Sequence, residues 1–294
     1  MLLTIITPTF NRAKLLSNCY ESLKNQSDKD FEWLIVDDGS IDNTEEIIKE
    51  FKRENCISIR YIKKKNEGKH SALNLGFIEA KGTLSIIVDS DDILTSNAVE
   101  TIRKMWNKYK NIEDLSSIVF LRGYPNGKVI GDSFPQDEFL SNHIECRVNN
   151  NIDGDKSEVY VTKILKKYRF PVFEGEKFIS EGYVWLKMGK KYKAIYVNKI
   201  IYITEYLEGG LTKSGRKLRI QCPLGGIVSA KEGMGKEFIL SQRVKQTLLY
   251  VSYSFFAKKN ALQVINESDY KSLTLANLIP GFLLYKYWNY KYNI

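Results

Sequence analysis

The sequence predicts an α/β fold: a doubly wound, mostly parallel sheet followed by a helical C-terminal extension that is rich in aromatic and basic residues. Apolar runs of strand length alternate with segments of helical period through residues 1–125. Polar or acidic groups directly follow three of those runs, and the pattern beyond residue 225 is helical. A β-α-β-α order favours parallel strands joined by right-handed crossovers.

The apolar runs are predicted strands because they are short, β-branched and bounded by turn residues. In the first half they cover residues 2–7, 31–36, 58–62 and 84–88, with helices predicted near 15–23, 44–51, 69–80 and 97–110. Farther along, strands are expected at 117–121, 194–197 and 200–203, a loop-rich region at 124–150 and a helix at 238–256. We expect one domain at 1–225, with halves at 1–125 and 126–225, and an extension at 226–294.

The composition is that of a folded soluble protein with an anionic partner. The chain has 294 residues, 43% hydrophobic, and a net charge of +9 that indicates nucleotide phosphates, an anionic lipid surface or nucleic acid. Its four cysteines form no C-x-x-C pair, which disfavours a zinc site or a disulfide framework. The N-terminus does not resemble a signal peptide, and no apolar run reaches the length of a membrane span. We therefore expect a cytosolic protein, or one held peripherally on the cytosolic face of the membrane.

Three acids follow the predicted strand at 84–88, in the segment Asp89-Ser90-Asp91-Asp92. Ligands of open α/β sheets bind at the carboxyl ends of such strands. Crowded carboxylates repel one another unless a cation compensates them, and oxygen ligands suit Mg²⁺ or Mn²⁺. The alternative is an acidic turn that caps the next helix.

Two other strand ends carry comparable groups. Thr7-Pro8-Thr9 follows the first strand, and Asp37-Asp38-Gly39-Ser40 follows the second. In a parallel sheet these ends lie along one edge, so we expect their side chains to converge with the acids at 89–92. Each segment alone is also good turn chemistry, but their coincidence favours a binding site.

These segments resemble the successive motifs of family 2 glycosyltransferases, which have the GT-A fold, a Rossmann-like doubly wound sheet. The motifs are T-P-T-F-N-R, V-D-D-G-S, N-x-G-K-x-x-A-L-N-x-G and V-D-S-D-D. The resemblance is strong across residues 1–125, weaker through 178–182 and 206–212, and absent from the tail. It implies inverting, metal-dependent transfer of a sugar from a nucleotide donor, most often a UDP-sugar.

The resemblance also assigns donor-binding roles. It places Thr7, Pro8 and Thr9 in the walls of the nucleoside pocket. Asp38 matches the carboxylate that accepts a hydrogen bond from the uracil ring. That pairing is chemically sensible because an ionised carboxylate only accepts and uracil offers an N–H donor.

The remaining assignments concern the diphosphate. Asp89 matches the first acid of the D-x-D motif, near the ribose, and Asp91 matches the carboxylate that holds the metal. Lys69 lies where a basic residue approaches a phosphate, and Asn74 belongs to the same motif. A solvated surface lysine is the alternative for Lys69.

An inverting displacement also needs a base that takes the proton of the acceptor hydroxyl. In the family this acid lies in a short acidic motif, which here matches residues 174–182. We assign the role to Glu181, with Glu176 and Glu174 as alternatives. The competing interpretation is that Glu181 caps the helix that follows it.

The end of the chain suggests a membrane surface. Residues 275–294 combine leucines with one Trp, four Tyr and two Lys, a mixture typical of lipid interfaces. We expect peripheral binding to anionic lipid and a saccharide acceptor, lipid-linked, of bacterial surface polysaccharide synthesis. Packing against the rest of the protein or in a dimer is the alternative. The basic segment 207–219 is a candidate for closing over the donor diphosphate.

Two other functions were weighed against transfer. A sugar nucleotidyltransferase of related fold is disfavoured because the first strand leads into Thr-Pro-Thr-Phe-Asn and not into a glycine-rich basic loop. A basic nucleic-acid-binding or phosphate-binding protein is disfavoured because acids at the strand ends repel phosphate without a metal. We therefore expect no nucleic-acid partner.

Overall fold

The structure, a computed structural model, describes residues 1–205 and 215–293. The chain forms two compact units. The sheet unit comprises Met1–Asn142, Ile152–Arg169 and Lys191–Glu205, and the helical unit comprises His143–Asn151, Phe170–Lys190 and Tyr206–Ile294. The division expected at residues 125 and 225 concerns function and stays a prediction. The two structural units have other boundaries.

The sheet unit is built on one mixed sheet. Its strands are β1 (Leu3–Thr9), β2 (Phe31–Asp37), β3 (Ser58–Lys63), β4 (Leu84–Ile87), β5 (Ile93–Leu94), β6 (Leu115–Gly123), β7 (Phe139–Ser141), β8 (Lys156–Val161) and β9 (Lys193–Ile203). Their order is β3-β2-β1-β4-β8-β6-β9-β5, with β7 paired to β9. The first four strands are mutually parallel. β8 runs antiparallel between β4 and β6.

Helices cover this sheet because their apolar faces pack on the strands. They are α1 (Ala13–Lys24), α2 (Thr44–Glu54), α3 (Lys69–Glu79), α4 (Ala98–Tyr109) and the short α5 (Thr162–Leu165). Tyr20 of α1 stacks on Phe51 of α2 with ring centroids 4.1 Å apart, beside the fully buried Trp33 of β2. Each such aromatic pair contributes roughly 0.5–1.5 kcal/mol beyond its buried area. This core fixes the ends of β1 and β2.

The predicted fold class is confirmed, and β8 and β9 are two of the strands at which the structure differs from the sequence prediction. The strands predicted at 194–197 and 200–203 are one strand, β9, because Asn198 and Lys199 form an irregularity and not a turn: Phe120 of β6 pairs with Val197 and the next residue pairs with Ile200. The second difference is β8, a strand that the local sequence did not predict. Its first residue, Lys156, is buried although it is charged. Its ammonium donates to the Asp153 carbonyl at 2.7 Å.

The helical unit surrounds a separate core. Its elements are a π-helical turn (Ile144–Asn149), α6 (Gly182–Gly189), α7 (Gly215–Gln221), α8 (Pro223–Glu232), α9 (Leu240–Phe256), α10 (Ala261–Asn266), α11 (Lys271–Ala276) and α12 (Leu278–Tyr292). Residues that α8, α9 and α12 contribute to this core include Ile227, Tyr250, Val251 and Trp288. The segment expected to close over the diphosphate, 207–219, lies outside the described residues up to 214, and from 215 it is helical.

The tail is partly buried. Trp288 of α12 is 6% exposed and packs on Tyr253 of α9, with ring centroids 5.9 Å apart. Within the described ranges, no helix combines the length and the apolarity that crossing a bilayer requires.

Candidate active site

The carboxyl ends of β1, β2 and β4 meet at one edge of the sheet. Thr9 is paired with Asp37 across β1 and β2, and the Asp38 amide donates to the Thr9 carbonyl at 2.9 Å. β4 lies on the other side of β1 in parallel register, and the Val88 amide continues that pairing by donating to the Ile6 carbonyl at 2.9 Å. The predicted convergence follows directly from this pairing.

Asp38 is the most heavily bonded carboxylate of this edge. Its Oδ1 accepts from Lys64 Nζ and the Glu67 amide, both at 3.0 Å. Its Oδ2 accepts from Asn66 Nδ2 at 3.1 Å and the Gly68 amide at 2.7 Å. Two oxygens offer about four acceptor positions, so all of them are filled. Asp38 therefore ties the end of β2 to the loop that enters α3.

Gly39 allows that loop to approach. Its φ of +85° suits a residue without a side chain, and a Cβ here would meet the Asn66 amide at 3.0 Å and the Lys64 carbonyl at 3.1 Å. The close approach lets Lys64 and Asn66 reach Asp38. The neighbouring Asp37 closes the same turn by accepting from the Ser40 amide at 2.7 Å.

The loop connects onward to the acids after β4. Lys69, the first residue of α3, forms an ion pair with Asp89 at 2.6 Å. Burial raises the pKa of Asp89, but the charges of Lys69, Arg122 and Arg12 outweigh that effect and hold its pKa below the usual range. Asp89 is therefore ionised at neutral pH.

Asp91 pairs with a different cation. Its Oδ2 lies 3.0 Å from Arg12 Nη1, and its side chain is 25% exposed. Arg12 follows Asn11, whose amide donates to Ser40 Oγ at 2.9 Å. The end of β1, the turn after β2 and the acids after β4 thus form one continuous cluster.

Asp92 faces the interior and behaves differently from its neighbours. It accepts from Tyr202 Oη at 2.8 Å, and Arg122 lies 3.7 Å away over the same tyrosine ring. Burial and the charge of Asp89 raise the pKa of Asp92 to about 7. This carboxyl is consequently close to half-protonated at neutral pH, which lowers the repulsion within the acid cluster.

The predicted nucleoside walls lie at this edge but differ in orientation. Thr7 turns its hydroxyl into the core, where it accepts from Trp33 Nε1 at 2.9 Å, so only its backbone can line a pocket. Pro8 is buried in β1. Thr9 Oγ1 is buried without a hydrogen-bond partner among the described residues, as a ligand-facing hydroxyl would be. Asn74 lies partly exposed on α3.

The acids do not form a ready-made metal cage. Among the described residues, no group of three His, Cys, Asp or Glu side chains could hold an ion. Lys69 and Arg12 each form an ion pair with one of these carboxylates, Lys69 with Asp89 and Arg12 with Asp91. Asp91 still fits a hard divalent ion as one accessible oxygen donor, because Mg²⁺ usually takes one or two carboxylates and fills its other positions with phosphate oxygens and water.

The candidate base belongs to the helical unit. Glu181 precedes α6 and is half-buried, and its carboxylate makes no capping hydrogen bond to that helix. Glu176 has a structural position: it is 8% exposed and accepts from the Leu224 and Gly225 amides, both at 2.8 Å. Glu174 is exposed. Of the three candidates, Glu176 is thus bound to the start of α8.

Several site residues were not singled out from the sequence. Arg12 is the last residue of the T-P-T-F-N-R motif, which follows the first strand. Its place near the acids could therefore have been predicted from the sequence. Lys64 lies in a run of three lysines that reads as a solvated surface. Arg122 and Tyr202 come from β6 and β9, and nothing in their local sequence indicates the acid cluster.

Comparisons with known proteins agree with this geometry. Residues 4–131 match the model of "Glycosyl transferase family 2". The chain is 26% identical over 292 residues to a GalNAc(5)-diNAcBac-PP-undecaprenol beta-1,3-glucosyltransferase of Campylobacter jejuni, covering 96% of this chain and 91% of that protein.

Two further likenesses cover different shares of each protein. Glycosyltransferase GlyA of Streptococcus pneumoniae is 28% identical over 222 residues, which span 72% of this chain but only 31% of GlyA. The structure of S. aureus TarS 1–349 in complex with UDP-GlcNAc superposes with a TM-score of 0.64 at 19% identity, covering 96% of this chain and 80% of that one. That likeness supports the GT-A fold. Together with the sequence motifs at the edge of the sheet, these findings place residues 4–131 of the chain in glycosyl transferase family 2.

Proposed function

We propose that this protein is a metal-dependent, inverting glycosyltransferase that moves a sugar from a UDP-sugar to a hydroxyl of a saccharide acceptor. The observation that carries the proposal is the gathering of Asp38, Asp89 and Asp91 along one sheet edge, each in contact with a basic side chain. Paired acids and cations of this kind suit a ligand that has both hydrogen-bond donors and phosphates.

Asp38 and its partners supply the nucleoside end of the site. An ionised Asp38 accepts from the uracil N–H, but its four acceptor positions are filled. Lys64 or Asn66, which are side-chain donors, must therefore give way to the base, whereas the amides of Glu67 and Gly68 keep the carboxylate oriented. The buried hydroxyl of Thr9 is available to the nucleoside.

The diphosphate end is served by cations that the acids hold in place. Arg12 forms an ion pair with Asp91, and Lys69 forms one with Asp89. Both cations can instead donate hydrogen bonds to phosphate oxygens of a diphosphate bound beside these acids. Asp91 would hold Mn²⁺ or Mg²⁺, which acts as a Lewis acid on the departing diphosphate. Stabilising that developing charge is the main task in glycosyl transfer.

Glu181 is the proposed base. Inversion requires a group that takes the acceptor proton opposite the leaving group. The match of residues 174–182 to the short acidic motif of the family supports this role, and Glu181 stands in that segment directly before α6. Glu176 is the weaker candidate because two backbone amides occupy it.

The acceptor is proposed to be a lipid-linked saccharide of bacterial surface polysaccharide synthesis, met at the cytosolic face of the membrane. An exposed apolar stripe runs along α12 at helical spacing: Ile279, Leu283, Tyr287 and Tyr290 are 73%, 61%, 53% and 88% exposed. Lysines beside this stripe suit anionic headgroups. The Campylobacter relative is named as a glucosyltransferase of GalNAc(5)-diNAcBac-PP-undecaprenol, which supports the same substrate class.

Thermal unfolding with UDP tests the proposal. A ligand that binds only the folded state raises the melting temperature by mass action. We expect UDP to stabilise the protein, Mn²⁺ to increase the shift, and Asp91→Ala to abolish the Mn²⁺ increment and sugar transfer. The exposed Asp269→Ala in the helical unit serves as the matched control and should behave as the parent protein. Absence of any shift with UDP and with other nucleoside diphosphates would rule the proposal out.

A further inference from the structure

The helical unit contains a cavity of ≈ 390 Å³ whose lining includes residues of α6, α7, α8 and α9. Three cations line it: Arg216 and Arg219 from α7 and Lys245 from α9. Ser180, Tyr183 and Gln246 add hydroxyl and amide groups. None of its described lining residues is acidic.

Some basic residues of the same unit have acidic partners. Lys190 is paired with Glu232 at 2.9 Å and with Glu237 at 3.2 Å. For the three cavity cations the described residues provide no such ion pair. Like charges around one cavity repel one another, and a bound anion relieves that repulsion.

Neighbouring groups hold the arginine and shape the cavity. The Arg216 guanidinium lies 4.6 Å from the ring centroid of Trp288, which is itself buried. A stacked guanidinium keeps its N–H groups in a defined plane, ready for bidentate contact. Gly225, Gly226 and Gly233 also line the cavity, and a Cβ at each would meet atoms of Phe178, Tyr253 and Gln246, respectively, at 2.6 Å.

The cavity also adjoins the proposed base in the sequence. Ser180 and Gly182, which immediately flank Glu181, both line it. A ligand held there is therefore next to the loop that carries Glu181. His143 lines the cavity as well, and burial together with the charge of Arg147 lowers its pKa to about 3, so it is neutral.

We propose that this cavity binds a phosphate ester group of the acceptor, carried on a saccharide or on a lipid. The inference rests on the proposed function and deepens it by naming an anionic acceptor. Arginine forks match phosphate geometry in two parallel hydrogen bonds. The volume is within the range of small-molecule sites and exceeds that of a bare phosphate, so part of the attached sugar or prenyl chain enters too.

Calorimetric titration of the full chain, first saturated with UDP and Mn²⁺, tests the cavity apart from the donor site. The probes are glucose 1-phosphate and geranyl phosphate, with glucose and geraniol as uncharged counterparts. We expect at least one phosphate ester to bind and its counterpart to bind at least about tenfold more weakly, as expected where a charge-assisted contact is lost. Tighter binding of the phosphosugar would identify a saccharide phosphate, and the reverse a lipid phosphate.

Variants locate the binding. Arg219→Gln and Lys245→Gln should each weaken the phosphate ester by about tenfold. Lys217→Gln is the matched control, because Lys217 is on the same helix as Arg219, exposed and outside the lining. Lys245 is exposed, so its replacement leaves the fold intact. Equal affinities in Lys245→Gln and Lys217→Gln, or no ester binding, would overturn the inference. Failure of UDP to bind would instead overturn the proposed function, and the same variant comparison would still decide the cavity.

Discussion

Asp38 shows how a single carboxylate organises the proposed donor site. Its four hydrogen bonds come from a lysine, an asparagine and two backbone amides, all on the loop between β3 and α3. The side chain is only 4% exposed, so these bonds are made away from water. Removing its charge affects both the loop and the ligand.

Asp38→Asn should weaken UDP binding by about tenfold or more and lower the free energy of unfolding by roughly 1–3 kcal/mol, because an amide cannot accept from all four donors. Urea unfolding and UDP titration measure the two effects. Glu46→Gln, an exposed acid of α2, is the control and should change neither. A variant that binds UDP as the parent does would exclude Asp38 from nucleoside recognition.

Glu181→Gln should lower the transfer rate constant by about 10²–10⁴-fold while leaving UDP affinity unchanged, because the amide keeps the shape but cannot take a proton. The matched control is Asp269→Asn, an exposed acid of the helical unit. Transfer and donor binding are measured separately. Activity retained in Glu181→Gln would place the base elsewhere.

His143 makes stability depend on pH. Its pKa is lowered to about 3 in the folded protein, chiefly by burial, so the unfolded chain binds the proton first as the pH falls below about 6.5. The contribution of this group is complete above that pH and declines toward pH 3, by up to about 1.4 kcal/mol per pH unit.

His143→Gln should therefore lose less stability than the parent between pH 7 and pH 5. Urea unfolding across this range measures the difference, with pH 8 as the internal reference. Parallel curves for the two proteins would contradict a His143 that stays neutral in the folded protein.

Helix α3 depends on one glycine for its approach to β1. A Cβ at Gly76 would meet Ile6 Cγ2 at 2.6 Å, inside the core of the sheet unit. The close contact between Gly76 and Ile6 sets the distance between β1 and α3, the helix that contains Lys69 and Asn74. Its position relative to the acids after β4 follows from the same contact.

Gly76→Ala should destabilise the protein by about 1–3 kcal/mol through overpacking, despite the better helix propensity of alanine. Gly215→Ala at the start of α7 is the control, since no atom lies within 4 Å of its added Cβ. Denaturant midpoints compare the two. A Gly76→Ala protein as stable as the control would show that α3 can shift.

Helices and strands with a clear hydrophobic periodicity could be predicted from the sequence. Elements that form only by pairing with segments distant in the sequence could not. Strands β1 to β4 and helices α1 to α4 follow from apolar runs and turn residues of the local sequence. β8 was missed because its polar start, Lys156 to Glu158, becomes strand only between β4 and β6. The acids at the sheet edge stand in motifs of the local sequence, whereas Arg122 and Tyr202 reach Asp92 only through the folded sheet.

At the scale of the whole molecule, the net charge of +9 and the exposed stripe of α12 act together. The buried side of that helix packs on α9 through Trp288 and Gly281, so the stripe is not needed for the core. The sequence predicted the aromatic and basic character of the tail. It could not predict which side chains face outward, because that depends on the packing with α9.

Replacing Ile279, Leu283 and Tyr290 together by serine should reduce co-sedimentation with phosphatidylglycerol vesicles by more than about tenfold, because each buried apolar side chain contributes roughly 1.5–3 kcal/mol. The matched control replaces three scattered exposed residues, Ile41, Val172 and Leu262, by serine. Binding of the parent should also fall with added salt. Equal sedimentation of both triple variants would remove the membrane role of α12.

Glu176 limits how far this chain can be shortened. Its carboxylate accepts hydrogen bonds from the backbone amides of Leu224 and Gly225, which lie nearly fifty positions downstream. A fragment ending before Pro223 would lack both amides. The Glu176 carboxylate would lose these two hydrogen bonds, and the segment that contains Glu181 would lose its connection to α8. We therefore expect a stable fragment to extend well past residues 4–131, at least through α8.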